Sequence, residues 1–88
     1  MSLMENQEQY IQTLYEHKYL FTEEELLEAK CVYQLALQKN EDAMVEVANI
    51  LQLMQRYEEA AFWLTEASEL GSVEAKYHLA NCYFEGVG

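Results

Sequence analysis

YEEAAFWLTEASELGSVEAKYHLANCYFEG, residues 57 to 86, decides the fold. It splits into two amphipathic helical patterns at Gly71 and Ser72, a glycine suited to a left-handed helix end followed by a serine suited to open the next helix. Its second half repeats an earlier part of the chain. Aligning Asn40 with Ser72, an offset of 32 residues, places Ala43 on Ala75, Val47 on Leu79, Ala48 on Ala80, Asn49 on Asn81 and Leu51 on Tyr83. The helices before them echo at an offset of 31, with Ala29, Tyr33 and Ala36 matching Ala60, Leu64 and Ala67. Two helix types recurring with a period in the low thirties are the sequence sign of a helical repeat array. Small alanines let neighbouring helices approach, and a large apolar residue one turn away fills the remaining space.

Working back to the N-terminus, Thr22 with Glu25 three residues on forms a capping box, and Glu23 and Glu24 suit the positive end of the helix dipole. This predicts a helix from Glu23 to about Lys39, with Leu26, Ala29, Val32, Tyr33, Ala36 and Leu37 facing inward. Asn40 tolerates left-handed geometry and also suits the cap of a third helix, from Glu41 to about Gln55, whose inner residues are Ala43, Val47, Ala48, Ile50, Leu51 and Met54. Such a short connection makes the two helices antiparallel. A tight turn near Arg56 leads to the fourth helix, Tyr57 to Leu70, packed through Ala60, Ala61, Leu64 and Ala67. The fifth runs from Val73 to about Glu85. The first, from Glu5 to about Lys18, carries Ile11, Leu14, Tyr15 and then Lys18 and Tyr19 on its apolar stripe. The expected fold is all-α: an α-α superhelix, or right-handed solenoid, of tandem antiparallel helix pairs with about five helices in one domain over residues 1 to 88.

Composition bounds the function. The chain has 88 residues, no proline and three glycines, so almost all of it is available to helix. Sixteen acidic against five basic residues give a net charge of −11. That disfavours nucleic acid and anionic membrane as partners, since both need a basic footprint. A basic peptide or protein surface fits better, although the charge also serves solubility alone. Two cysteines, Cys31 and Cys82, do not make a disulfide framework and point to reduced thiols and a cytoplasmic location. No apolar run reaches the ~20 residues that span a bilayer. Met4 suggests that residues 1 to 3 are an expression remnant.

The stretch Arg56-Tyr57-Glu58-Glu59-Ala60 with Leu64 and Ala67 resembles the second helix of a tetratricopeptide repeat (TPR). Ala75, then Leu79-Ala80-Asn81-Cys82-Tyr83-Phe84-Glu85-Gly86-Val87-Gly88, resembles the first helix of the Sel-1-like repeat, with its Leu-Gly-x-x-Tyr-x-x-Gly-x-Gly pattern. Glu59 to Ala67 is similar to that family's Lys-Ala-x-x-Trp-x-x-x-Ala helix, with Trp63 as the discriminating residue. Ala80 stands where the family has glycine, and the unit before lacks the Gly-x-Gly loop. The match covers about Glu41 to Gly88 well, helix two fairly and helix one weakly. Because the sequence ends inside the loop that would lead to another helix, it is expected to be a fragment of a longer array.

The resemblance implies a TPR-like adaptor or scaffold that uses no cofactor and binds protein or peptide partners on a concave face lined by the first helix of each unit. The groove residues are then Asp42, Val45, Asn49 and Gln52 from one unit and Glu74, Tyr77, Asn81 and Phe84 from the next. Asn49 and Asn81 offer a donor and an acceptor to a peptide backbone, or equally serve bonds within the array. Asp42, Glu46 and Glu74 stand where clamps for acidic tails carry lysines, so an acidic client is disfavoured. The competing expectation is a capping or oligomerisation segment that self-associates through its last helix and has no ligand of its own. His78 and Cys82 have metal-ligand spacing, but two ligands make no site, and packing is their simpler role. Paired glutamates without a pocket offer no acid and base pair, so no enzyme is expected.

Overall fold

The computed structural model describes the backbone of residues 3–84 and the side chains of residues 7–81. Among the described residues it is all-α. Five helices, α1 (Leu3–Glu16), α2 (Glu23–Leu37), α3 (Glu41–Leu53), α4 (Tyr57–Glu69) and α5 (Val73–Phe84), follow one another, with one 3-10 turn over Lys18–Leu20. Each helix packs mainly on its neighbours in sequence, so α3 lies between α2 and α4, while α5 rests chiefly on α4. The block measures 31 × 27 × 26 Å.

The three connections after α2 are built alike. Each helix ends in one residue that caps it, one residue in left-handed geometry, and one that opens the next helix. Lys39 (φ 65°), Gln55 (φ 62°) and Gly71 (φ 103°) hold the left-handed position. Behind them, Asn40, Arg56 and Ser72 donate their backbone N–H to the carbonyls of Leu35 (3.2 Å), Leu51 (2.8 Å) and Ala67 (3.1 Å). Lys39, Gln55 and Gly71 donate to Ala36, Gln52 and Ser68 at 3.0 Å each. This paired pattern is the Schellman motif, which satisfies carbonyls that the helix end would leave orphaned. From Asn40 to Arg56 to Ser72 the motif recurs every 16 residues. Lys39, and not Asn40, takes the left-handed geometry: Asn40 has φ −78° because its side chain accepts from the Ala43 N–H at 3.1 Å as the cap of α3. Ser72 Oγ accepts from Ala75 N in the same way at 3.1 Å. Arg56 caps no N–H and instead reaches Glu59 with its guanidinium, at 2.9 Å. The Thr22 capping box is complete, with Thr22 Oγ1 accepting from Glu25 N (3.1 Å) and Glu25 Oε1 accepting from Thr22 N (2.9 Å).

Burial follows the 31-residue period found in sequence, whereas at the offset of 32 Ala43 and Ala75 are both buried but Ala48 is buried where Ala80 is exposed. The buried residues of α2 are Ala29, Val32, Tyr33 and Ala36, and those of α4 are Ala60, Trp63, Leu64 and Ala67, the same four positions at an offset of 31. The turns that follow are spaced by 32. The core face of α4 is therefore turned by one residue, about 100° of helix, relative to its closing turn.

An aromatic line crosses these helices. Tyr10 of α1 stacks on Tyr33 of α2 with ring centroids 4.3 Å apart, and Tyr33 meets Trp63 of α4 edge-on at 5.4 Å. The Tyr10 hydroxyl donates to the Ala29 carbonyl at 3.0 Å, so its polar tip is satisfied where the ring is buried. Tyr10 is buried in the docking of α1, which corrects the stripe expected there. The helix buries Tyr10, Thr13 and Leu14 and half-buries Ile11, whereas Tyr15, Lys18 and Tyr19 are exposed. The reason is local: after Glu16 the chain tightens into the 3-10 turn, so Lys18 and Tyr19 leave the helical period.

Candidate functional site

The residues expected to line a groove fall into three environments. Asp42, Glu74, Tyr77 and Asn81 are exposed, and Asn49 and Gln52 are half-buried. Tyr77 presents 66 % of its surface to solvent, with the His78 ring against it edge-on at 6.0 Å. Val45 is a correction. It is 3 % exposed and belongs to the core, because α3 has helices on both sides and buries Ala43, Met44, Val45, Val47, Ala48 and Leu51. The side chain of Phe84 lies outside the described residues, as does that of Cys82. His78 has Glu74 as its near partner, Nε2 to Oε1 at 3.7 Å, one turn back on the same helix. Among the described residues no group of three or more His, Cys, Asp or Glu side chains could hold a metal ion, and no helix is long and apolar enough to cross a membrane.

The surface left on α3 is a narrow strip. Asp42, Glu46 and Leu53 are exposed, with Asn49 and Ile50 half-buried between them, at the three- and four-residue spacing of one helix face. Glu46, Ile50 and Leu53 close a small cavity of about 110 Å³ against α2. Phe21, Ala29 and Val32 give its floor apolar character, and Glu25, Glu28 and Glu46 supply three carboxylates. Leu53 is 63 % exposed beside it. An apolar floor under carboxylates is complementary to a segment that carries both aliphatic and basic side chains. Reading by repeat position missed this groove, although Glu46, Ile50 and Leu53 at spacings of four and three were a visible signal for it.

The second opening lies on another face of the same N-terminal half of α2 and shares Phe21 with the first. Tyr15, Lys18, Phe21, Glu23, Leu26, Leu27 and Lys30 line an open pocket of about 470 Å³ between α1, the 3-10 turn and α2. Lys30 Nζ donates to the Tyr15 hydroxyl and sits 4.5 Å from the centroid of the same ring. Cys31 is an exposed free thiol. Burial pushes the Tyr33 phenol up to about 12, with Glu59 adding to the effect. Burial raises the Tyr10 phenol further, helped by Tyr33 and Glu46. Both rings stay neutral at physiological pH and serve packing.

No protein-family model, curated protein or solved structure matches the chain.

Proposed function

We propose that the chain is a non-enzymatic protein-interaction module of the Sel-1-like, TPR-like solenoid type, acting as a cytoplasmic adaptor for a peptide or protein partner. The observation that carries this reading is the recurrence of one turn geometry every 16 residues, at Asn40, Arg56 and Ser72, between helices whose core positions repeat. Stacked units of this kind spend their apolar residues on their neighbours and offer the remaining helix faces to partners. Those faces carry Asp42, Glu46, Asn49 and Leu53 on α3 and Glu74, Tyr77 and Asn81 on α5. Their chemistry favours a basic, partly apolar segment: carboxylates for its charges, Leu53 and Tyr77 for its aliphatic side chains, and carboxamides for its backbone.

The test is a titration with a lysine- and leucine-containing peptide and with its glutamate counterpart, followed by amide chemical shifts. Shifts on α3 and α5, preference for the basic peptide, weakening by salt, and loss of binding in Asn49→Ala, Tyr77→Ala and Asn81→Ala support the assignment. Unchanged binding in all three variants, or equal binding of both peptides, removes it.

One contrast favours a second reading, self-association through α5. At the repeat offset of 32, Val45 and Ala48 of α3 correspond to Tyr77 and Ala80 of α5. The first pair is buried at 3 % and 0 %, while Tyr77 is 66 % exposed and Ala80 is exposed. With Val73, itself 78 % exposed, Tyr77 and Ala80 form an apolar stripe that a second chain would cover. Sedimentation decides between the readings. A concentration-dependent dimer abolished by Tyr77→Glu supports self-association, and a monomer at high concentration excludes it.

A further inference from the structure

Two of the chain's five basic residues, Lys18 and Lys30, line the same cavity. Among the described residues neither is ion-paired, and the two ion pairs there use Arg56 and His78 instead. Lys30 is held in place from below by the Tyr15 hydroxyl and ring. Lys18 stands on the exposed 3-10 turn opposite. Between them the walls are apolar: Phe21 and Leu26 are half-buried, Leu27 is 63 % exposed and Tyr15 48 %. At about 470 Å³ the space lies within the range of roughly 300–1,000 Å³ usual for small-molecule sites.

From this juxtaposition we propose that the cavity between α1 and α2 binds a small amphiphilic monocarboxylate, an apolar chain or ring ending in one carboxylate. The apolar body lies against Phe21, Leu26 and Leu27, and the carboxylate sits between the ammonium groups of Lys18 and Lys30. The net charge of −11 repels anions from the surface at large, so a pocket that gathers two lysines, free of ion pairs among the described residues, is the place where an anion is admitted. Glu23 at the rim of the same cavity selects for low charge, since a polyanion would meet its carboxylate. The site is separate from the peptide surface proposed on α3 and α5, and neither depends on the other.

The experiment uses decanoate, 1-decanol and decyltrimethylammonium, each below its aggregation concentration, with calorimetry for affinity and amide chemical shifts for location. Decanoate is expected to bind most tightly, with shifts confined to residues around Tyr15, Lys18, Phe21, Leu27 and Lys30. Lys18→Gln lies on an exposed turn and leaves the melting curve intact. It should weaken decanoate roughly three- to tenfold while leaving decanol unchanged, as loss of one charge-assisted contact requires. Leu27→Ser, also at an exposed position, should weaken both. The proposal is overturned if decyltrimethylammonium binds as well as decanoate, if Lys18→Gln leaves decanoate affinity unchanged, or if the shifts map to another part of the chain.

Discussion

Gln55→Gly should stabilise this protein, although it removes a side chain and adds the most flexible residue. Gln55 is exposed and occupies a left-handed position at φ 62°, the second of three equivalent turns. A left-handed residue with a Cβ costs about 1–2 kcal/mol relative to glycine, through the clash of Cβ with the following carbonyl. Glycine returns about 0.4–1 kcal/mol of that through its larger entropy in the unfolded chain. The net gain is about 0.5–1 kcal/mol, or roughly 2–8 °C in Tm for a domain of this size. Gly71→Ala is the mirror experiment. A Cβ built on Gly71 meets nothing within 4 Å, so its cost is conformational alone and should be about 0.5–1 kcal/mol of lost stability. Urea unfolding followed by circular dichroism measures both. If Gln55→Gly destabilises, or Gly71→Ala is neutral, the three turns do not share the geometry that the repeat assigns them.

Three further outcomes follow from the packing. Val45→Ala should cost about 1–3 kcal/mol because it empties a core position, whereas Tyr77→Ala, at the equivalent position of α5, should stay within about 0.5 kcal/mol; denaturant midpoints compare the two. Tyr10→Phe removes the hydrogen bond to the Ala29 carbonyl and should cost about 0.5–1.5 kcal/mol, with amide exchange in α1 accelerating more than in α3 or α4. Raising pH should unfold the protein through Tyr33 and Tyr10. A raised phenol pKa contributes stability that is whole below the ordinary value of 10.0 and is lost as pH climbs through the folded value, for Tyr33 between about 10 and about 12. Ultraviolet titration should show these two tyrosines ionising together with unfolding, and Tyr33→Phe should make the alkaline transition shallower. A tyrosine titration that is complete before any loss of helix would contradict this.

Where an element's identity depends on its own residues, sequence was enough. The capping box at Thr22, the caps at Asn40 and Ser72 and the break at Gly71 were all legible, because each is a local exchange of backbone and side-chain hydrogen bonds. The left-handed ends at Lys39 and Gln55 were not. Neither residue advertises positive φ, and both are held there by the Schellman bonds of their neighbours to Leu35 and Leu51. Tyr10 escaped notice for a related reason. Its partners, Tyr33 and Ala29, lie nineteen or more residues away, and no periodicity within α1 distinguishes Tyr10 from Ile11 or Tyr15.

Site residues proved harder than core residues because a repeat fixes which face of a helix points at its neighbour, but not how many neighbours there are. Val45 and Tyr77 occupy one repeat position and were assigned one role. In α3, flanked by α2 and α4, that position is sealed, while in α5 it faces solvent. The width of the apolar stripe therefore differs between two helices with the same small-large pattern: six buried residues between Ala43 and Leu51 in α3, and Ala75 as the fully buried one among the described residues of α5. The residues on α3 still available to a partner are those at the edge of its packing against α2, which is why Glu46 and Leu53 replace Val45 on the accessible strip. A partner that binds both helices would then meet carboxylates and Leu53 on α3 but exposed Val73, Tyr77 and Ala80 on α5, so equivalent positions offer it different chemistry.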